Sequence, residues 1–351
     1  MKVFLTGATG FIGQALVRAM RQRGWEVTAL VRDLNSAPSS WLLSQGVALV
    51  AGDVTERAGL REAMNGADVV VHNAGVYELG LNRVASERMQ QVNVGGTDAV
   101  LGAALEAGIA RTVYVSAIWA LGPSGRPPEK SITKDETQQH DAHYLTLYER
   151  SKTQAHQVAM KYRAAGLPMV VAIPNGVVGV NDHSVFGYFL RLYLLGAMPP
   201  MSFGKDAVYS LVDVDALANG LCLCAEKAAI GQDYAFCGEP ISLGALFSQF
   251  SRFPGGRVPK LWLPRWLMRP PMALMEPLLR AFGLPAFLSR DTVDSSKAHL
   301  NYSSAKAKRD LGWTHPGPDE MWSRIIPRER ELMFKRKGFV NRLKHLGVTP
   351  D

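Results

Sequence analysis

Short apolar runs alternate with helix-length segments through the first half of the chain, and this alternation constrains the fold more than any other feature. The runs are rich in Val, Ile and Leu, and they lie at residues 3–5, 27–31, 47–50, 69–71, 112–115 and 169–173. Nearly continuous apolar strands are typical of a parallel sheet that helices cover on both faces. The sequence therefore predicts a doubly wound α/β fold.

The segments between these runs give the helices and the domain limits. We predict helices at 11–23, 84–107 and 144–165, which end near Gly24, Gly108 and Gly166, because glycine adopts the left-handed conformation that ends a helix. After about residue 179 the rhythm breaks and prolines and aromatics increase. We expect a first domain over 1–179, a smaller, mostly helical lobe over 180–330 and a basic tail over 331–351. Strands at 209–214 and 234–237 are expected to return to the main sheet, so that about 207–240 partly rejoins it.

The segment TGATGFIG, at 6–13, follows the first predicted strand and opens the first predicted helix. Glycines at these positions let the chain turn tightly and approach a pyrophosphate, and the free amides and dipole of a helix N-terminus stabilise that anion. A simple strand-to-helix turn is the alternative. The sequence predicts a dinucleotide site whose contacts in this segment are Gly7, Thr9, Gly10, Phe11, Ile12 and Gly13.

The end of the second strand bears on which dinucleotide is bound. An acidic residue there binds the ribose hydroxyls of NAD(H) and repels the 2′-phosphate of NADP(H). Here Val31 stands where the acid is expected, and Arg32 follows with a guanidinium suited to phosphate. Asp33 is the contrary signal. The sequence favours NADP(H) over NAD(H), with Asp53 and Val54 flanking the adenine.

Tyr148 and Lys152 are four residues apart in YERSK, so a helix places both side chains on one face. A tyrosine with its ordinary pKa of about 10 is a poor acid or base at neutral pH. A nearby ammonium stabilises the phenolate and is expected to lower that pKa. By spacing alone such a pair is also a common surface contact.

Further motifs follow in order along most of the chain: GDV at 52–54, HNAG at 72–75, NVGGT at 93–97, PNGVVG at 174–179, YSLVDVDALA at 209–218 and SSAKAKRDLGW at 303–313. With TGATGFIG and YERSK, this set resembles the extended short-chain dehydrogenase/reductase superfamily, also called the NAD-dependent epimerase/dehydratase family. The similarity is to its dihydroflavonol reductase-like and 3β-hydroxysteroid dehydrogenase-like branch. The resemblance implies a Rossmann fold and an enzyme.

The resemblance also implies roles for individual residues. Tyr148 would donate or remove the substrate proton, Lys152 would hold the nicotinamide ribose, and Pro174 would border the nicotinamide. Asn73, Ala74 and Gly75 would support the cofactor, or serve only as backbone packing. One position departs from the family pattern, because Ala117 stands where a Ser or Thr hydroxyl usually contacts the substrate. We expect Ser116 to replace it, or to contact only the cofactor.

The segments expected to line the substrate site are mostly apolar, and only Arg191 and Lys205 could serve a diphosphate. A hydrophobic ketone, aldehyde or alcohol is therefore the expected substrate of an NADPH-dependent oxidoreductase. Two alternatives stay open. One is a nucleotide-sugar epimerase or dehydratase that retains its cofactor, and the other is a catalytically silent NADP-binding sensor, which Ala117 would permit.

Charge and composition bear on location and partners. The chain starts without a signal peptide pattern, and Cys222, Cys224 and Cys237 are expected to be buried free thiols, so we expect a cytoplasmic protein without a metal site. The net charge of +8 lies largely in the last 30 residues, with no sign of nucleic-acid binding. The segment 260–288 combines tryptophans, leucines and arginines. We interpret it as a packed helical hairpin or as a patch for peripheral membrane contact. The basic tail is expected to be a solvated helix face or to join that membrane contact, and a homodimer is a further expectation.

Overall fold

The computed structural model describes residues 1–80 and 83–348 of the chain. Its strands, in chain order, are β1 Lys2–Thr6, β2 Glu26–Val31, β3 Ala48–Ala51, β4 Val69–His72, β5 Arg111–Val115, β6 Met169–Pro174, β7 Val177–Val178, β8 Met201–Ser202, β9 Val208–Tyr209, β10 Val212–Asp213, β11 Asp233–Phe236, β12 Ile241–Ser242 and β13 Leu261–Trp262.

The helices flank this set of strands and dominate after residue 240. They are α1 Phe11–Gln22, α2 Ala37–Ser44, α3 Leu60–Ala63, α4 Arg83–Gln90, α5 Gly96–Glu106, α6 Leu147–Ala164, α7 Val185–Leu194, α8 Val214–Glu226, α9 Leu243–Phe250, α10 Arg265–Ala281, α11 Arg290–Ser295, α12 Ala305–Leu311, α13 Pro318–Phe334 and α14 Phe339–Leu343. A π-helical turn, Gln91–Gly95, joins α4 to α5, and a 3₁₀ turn covers Ile118–Ala120.

Seven strands form one parallel sheet in the order β3-β2-β1-β4-β5-β6-β11. Except in the edge strand β3 and at strand ends, its residues are buried on both sides because helices cover both faces. Val3 and Leu5 pack with α1 and α8, whereas Phe4, between them, packs with α5. The predicted doubly wound sheet and its six apolar strands are confirmed, and the region after the sheet is largely helical as expected.

Strand β1 lies between β2 and β4 in the sheet. The chain passes outward from β1 through β2 and β3 and then crosses back to the other side of β1 to form β4. The loops after β1 and β4 therefore lie side by side at the carboxyl edge of the sheet, where open α/β sheets bind ligands. Asn73 Nδ2 donates a hydrogen bond to the Gly7 carbonyl (3.3 Å), and the Ala74 amide donates to Thr6 Oγ1 (3.2 Å). The crevice at this edge is thus fixed by direct bonds between its two walls.

The expected return of the second lobe to the main sheet is only half right. β11 extends the sheet beside β6, as expected for 234–237. The run 209–214 does not join the sheet, because it divides into β9, which pairs with β12, and β10, which pairs with β7. Asp213 then ends the run by accepting hydrogen bonds from the amides of Asp215 and Ala216, which starts α8.

The three predicted helices are present with small differences. The second is α4 and α5 joined by the π-helical turn, and the third begins at Leu147 because Thr146 caps it. Gly24, Gly108 and Gly166 follow the helices with positive φ values of 72°, 64° and 99°. The three cysteines are buried free thiols, as expected.

The segment 260–288 is not a helical hairpin. It contains the short strand β13 and one long helix, α10, whose Met268 and Met272 pack against Val293 of α11. Within the residues that the structure describes, no helix is long and apolar enough to cross a membrane. The segment 331–348 is not a free tail either. Its last residues bind both lobes, since Gln14 Nε2 donates to the Gly347 carbonyl (2.8 Å) and Asn181 Nδ2 donates to the Leu346 carbonyl (2.9 Å).

A buried ion pair joins α7 to α13. Arg191 Nε donates to Glu329 Oε1 at 2.7 Å, and the two side chains are 0% and 2% exposed. Glu329 also accepts from the Asn181 amide, and Arg191 donates to the Asp182 carbonyl. Arg191, which the sequence analysis considered as a diphosphate ligand, is therefore paired and buried inside the second lobe.

Removing Glu329 should destabilise the protein strongly, because the Arg191 guanidinium would stay buried without its counter-charge. For Glu329→Ala we expect the free energy of unfolding to fall by about 3–5 kcal/mol. Urea denaturation measures it, with Glu331→Ala as the control, because Glu331 makes only an exposed pair with Lys335 and should change stability by less than about 1 kcal/mol. Equal effects of the two substitutions would contradict this role of the buried pair.

Candidate active site

A cavity of about 480 Å³ lies at the carboxyl edge of the sheet and extends between the two lobes. Almost every residue singled out from the sequence lines it, and these are Gly7, Thr9, Gly10, Phe11, Ile12, Arg32, Asp53, Val54, Asn73, Ala74, Gly75, Ser116, Tyr148, Lys152 and Pro174. Gly13 does not line it. The structure thus brings the predicted cofactor and catalytic residues to one place, while the role of each stays a prediction.

The glycine segment has the shape that a dinucleotide needs. Gly7 has φ of 75°, and a Cβ there would lie 2.7 Å from the Ala74 amide nitrogen. Gly13 supports the turn from behind, because a Cβ there would lie 2.0 Å from the Gly7 carbonyl oxygen. Helix α1 starts without a side-chain cap and has no acidic residue in its first turn. Its free amides and positive dipole end therefore fit a pyrophosphate.

The residues after β2 and β3 form the far end of the cavity. Arg32 is exposed and lines the cavity, whereas Asp33 turns into the following loop, where its Oδ1 accepts from the Asn35 amide (2.9 Å). Asp53 is held by Arg88, whose Nη2 lies 2.7 Å from Asp53 Oδ2, and by the Thr55 hydroxyl. Although burial opposes ionisation, these bonds hold the pKa of Asp53 below its ordinary value. The cation that sequence analysis missed here is Arg88.

Helix α6 carries the proposed catalytic pair, and a cap fixes where it starts. Thr146 Oγ1 accepts from the Glu149 amide (3.1 Å), and the buried carboxylate of Glu149 accepts from the Leu145 amide. This reciprocal bonding resembles a capping box, which stabilises the first turn of a helix. Tyr148 lies in that turn and Lys152 one turn later, and both line the cavity.

Burial controls the protonation of this pair. It raises the pKa of Tyr148 above its ordinary value, with a further contribution from Tyr114, and it lowers the pKa of Lys152 to about 8. The expectation that Lys152 lowers the pKa of Tyr148 is wrong for the protein by itself, because loss of hydration outweighs any attraction by the ammonium. The Tyr148 hydroxyl therefore stays protonated at neutral pH and can act as a proton donor.

Asn93, in the π-helical turn, ties the loop after β4 to α6. Its Oδ1 accepts from the Val76 amide (2.7 Å), and its Nδ2 donates to the Val76 carbonyl (3.0 Å) and to Ser151 Oγ (2.9 Å). Ser151 in turn donates to the Tyr148 carbonyl (2.8 Å). Turns of this rare type often occur at functional sites. The sequence motif NVGGT did not indicate that Asn93 positions α6 against the loop after β4.

The serine after β5 lies in the cavity wall but has a partner. Ser116 Oγ is 3.0 Å from Nδ1 of His156, one turn beyond Lys152 on α6. Ala117 also lines the cavity, so no hydroxyl stands at that position. Thr146 supplies another one, which the sequence analysis missed. Its oxygen accepts from the Glu149 amide, and its proton has no acceptor among the residues that the structure describes, so the hydroxyl can donate to a ligand.

The cavity end beyond Tyr148 is mostly apolar, and among the described residues it contains no Lys or Arg side chain. Lys205, the other cation that the sequence analysis considered for a diphosphate, is not among the described residues that line the cavity. The lining consists mostly of aromatic and aliphatic side chains with a few hydroxyls, and includes Tyr77, Leu79, Trp119, Phe186, Phe189, Phe203, Tyr209, Leu243, Thr292, Ser295, Ser296 and Leu300. Asn175, Asp182 and His183 add an amide, a carboxyl and an imidazole to the cavity wall.

The sequence profile of the NAD dependent epimerase/dehydratase family matches residues 3–237, about two thirds of the chain and the whole of the dinucleotide site. The chain belongs to this family. A relative from Synechocystis sp., designated only as a candidate dihydroflavonol 4-reductase, is 30% identical over 322 residues, 88% of this chain and 89% of its own. A 3 beta-hydroxysteroid dehydrogenase/Delta 5→4-isomerase of Mycobacterium tuberculosis is 29% identical, over 89% and 85% of the two chains.

A solved structure of the same architecture agrees with this assignment. The crystal structure of gox2253 superposes with a TM-score of 0.77 at 30% identity, over 94% of this chain and 98% of that chain. The predicted family, Rossmann fold and NAD(P)-dependent oxidoreductase class are confirmed. The family includes both reductases and epimerases. Membership therefore does not identify the reaction, which has to be inferred from the site.

The lowered pKa of Lys152 predicts a pH dependence for cofactor binding. Below about pH 8 its side chain is a charged donor, and above that value it becomes a neutral amine. Affinity for NADP(H) should therefore decrease as the pH rises through about 8. Calorimetric titration across this range measures it, and Lys152→Arg, which stays charged, should show no such decrease. A flat profile for the unmodified protein would reject a binding role for the ammonium.

Proposed function

We propose that this family member is an NADPH-dependent oxidoreductase that interconverts a ketone or aldehyde and an alcohol on a hydrophobic small molecule. The observation that carries the proposal is one cavity with two unlike ends. At one end lie an uncapped helix N-terminus and Arg32, and at the other lies an apolar chamber beside Tyr148 and Lys152. The first end suits a phosphorylated dinucleotide, and the second suits an apolar substrate.

The reaction assigns one task to each residue of the pair. When bound, the nicotinamide supplies or accepts the hydride. Tyr148, kept protonated by burial, donates its proton to the carbonyl oxygen in reduction and takes it back in oxidation. Lys152 holds the nicotinamide ribose and presents a positive charge near the Tyr148 hydroxyl as the phenolate forms.

A hydroxyl beside the reacting oxygen would stabilise the charge that develops there. Ser116 is the donor that the sequence suggests, and Thr146 is a second donor that lines the same cavity. A preorganised donor of this kind contributes about 2.7–4 kcal/mol to many transition states. Because Ala117 has no hydroxyl, Ser116 or Thr146 would have to make this contribution.

The choice of a hydrophobic substrate over a nucleotide sugar rests on charge. A diphosphate would need cations at the substrate end, but Arg191 is bound to Glu329, and the described lining of that end is mostly apolar and contains the Asp182 carboxyl. The two relatives are named for a dihydroflavonol and for a 3β-hydroxysteroid, which are uncharged ring compounds. An epimerase would regenerate its cofactor in each cycle, so net oxidation of NADPH distinguishes the two reactions.

Arg32 should decide between the two coenzymes, because only NADPH offers its guanidinium a 2′-phosphate. We expect NADPH to bind more tightly than NADH. Arg32→Ala should weaken NADPH binding about tenfold or more and leave NADH binding nearly unchanged. Calorimetric titration of both coenzymes measures this. Arg61→Ala, a change at an exposed arginine that does not line the cavity, is the matched control.

Substitution of the proton donor tests the reaction itself. With any hydrophobic ketone that supports NADPH oxidation, Tyr148→Phe should nearly abolish turnover and leave NADPH affinity almost unchanged. Ser116→Ala and Thr146→Val, measured separately, identify the second donor, while Ala117→Ser should preserve or raise the rate if the added hydroxyl fits. Steady-state rates and coenzyme affinities of each variant are the measurements. Full activity of Tyr148→Phe would reject the mechanism, and unchanged rates in both donor variants would reject only the donor.

A further inference from the structure

Helix α10 is apolar on two faces, and only one of them is packed. The inner face places Met268, Met272 and Leu279 against α11 and α7. The outer face carries Trp266 and Leu274, which are 75% and 76% exposed, followed by Leu278 and Phe282. These residues are separated by multiples of four, so they form a row that winds about 160° around the helix axis from Trp266 to Phe282. A folded monomer rarely leaves such a row uncovered without a function for it.

The C-terminal helices extend this surface at the end of α10. Leu343 of α14 belongs to the same buried cluster as Leu279 and Leu284, which places α14 beside α10. On the outside, Phe334 and Phe339 are exposed. We call the exposed side chains of Trp266, Leu274, Leu278, Phe282, Phe334 and Phe339 the outer apolar face.

The charge around the outer apolar face is strongly positive. Residues 328–344 contain seven Lys and Arg and two Glu, and one of those, Glu329, is buried with Arg191. The guanidinium groups of Arg330 and Arg342 lie 5.9 and 4.8 Å from the ring centre of Phe334. Lys344 lies next to Gly283, immediately after α10. Aromatic and aliphatic side chains framed by cations are typical of surfaces that rest on anionic lipid.

A second cavity, of about 410 Å³, opens beside this face. Its lining includes Leu284 and Phe287, which follow α10, and Arg280, which belongs to α10. It shares Tyr77, Leu79, His183 and Val185 with the active-site cavity, so the two are adjoining spaces. A molecule that moves from the region beside α10 to the chamber next to Tyr148 would have to pass these shared side chains.

We propose that the outer apolar face docks the protein on an anionic phospholipid bilayer, in the plane of the headgroups. Charge complementarity selects this occupant over a second copy of the chain, because two copies would bring their basic C-terminal segments together. The adjoining second cavity gives the docking a purpose, since an apolar substrate could pass from the bilayer to the active site. That purpose rests on the proposed function, whereas the docking itself does not.

Vesicle co-sedimentation of the full chain tests the docking directly. We expect binding to mixed phosphatidylcholine and phosphatidylglycerol vesicles at low salt, and weaker binding to phosphatidylcholine alone or at high salt. The triple variant Trp266→Ser, Leu274→Ser, Phe282→Ser should reduce the affinity at least about tenfold, because it removes the apolar anchors. NADPH binding by this variant should be unchanged, which establishes that it is folded.

A matched variant controls for the general loss of exposed apolar area. This control variant combines Leu43→Ser, Ile132→Ser and Ile230→Ser, which remove three exposed apolar side chains outside the outer apolar face. It should bind vesicles like the unmodified protein. Failure to bind anionic vesicles, or equal losses in the two triple variants, would overturn the proposal. A dimer that only the first variant dissociates, without vesicle binding, would identify a second copy as the occupant. None of these outcomes depends on finding a substrate.

Discussion

The contact between the loops after β1 and β4 is the constraint on which the site depends. Thr6 Oγ1 binds both His72 Nδ1 (2.8 Å) and the Ala74 amide, and Asn73 reaches the Gly7 carbonyl. Burial and the nearby Lys152 ammonium lower the pKa of His72 to about 3, so the imidazole is neutral and can accept one bond while donating another. The glycine turn therefore takes its position from the strand beside it as well as from its own conformational freedom.

The same connection continues outward to the catalytic helix. Asn93 holds the chain just after Gly75 and donates to Ser151, so the register of α6 against the sheet is set by a side chain in an unusual helical turn. The cap at Thr146 fixes where α6 begins, two residues before Tyr148. Tyr148 is thus held from two sides, which suits the proton-donor role proposed for it, because such a group must stay in place.

The fold was largely predictable from sequence, because apolar strands that are buried on both faces leave a simple pattern. The residues around the cavity were predictable where a motif carried them, as at Gly7, Arg32 and Tyr148. Thr146, Arg88 and His156 could not be found in this way, since their importance comes from what the fold brings beside them. The strand at 209–214 was misplaced because β propensity predicts an extended segment but not its partner, and here β7 and β12 supplied the partners.

The bond between Gln14 and Gly347 joins positions that are 333 residues apart. Closing so long a stretch of chain costs little more entropy than closing a shorter one, but contacts of high sequence separation form late in folding. During synthesis from the N-terminus, helix α1 is available long before the segment near Gly347 that bonds to it. The position of helix α1 therefore depends in part on a segment that is translated 333 residues after Gln14.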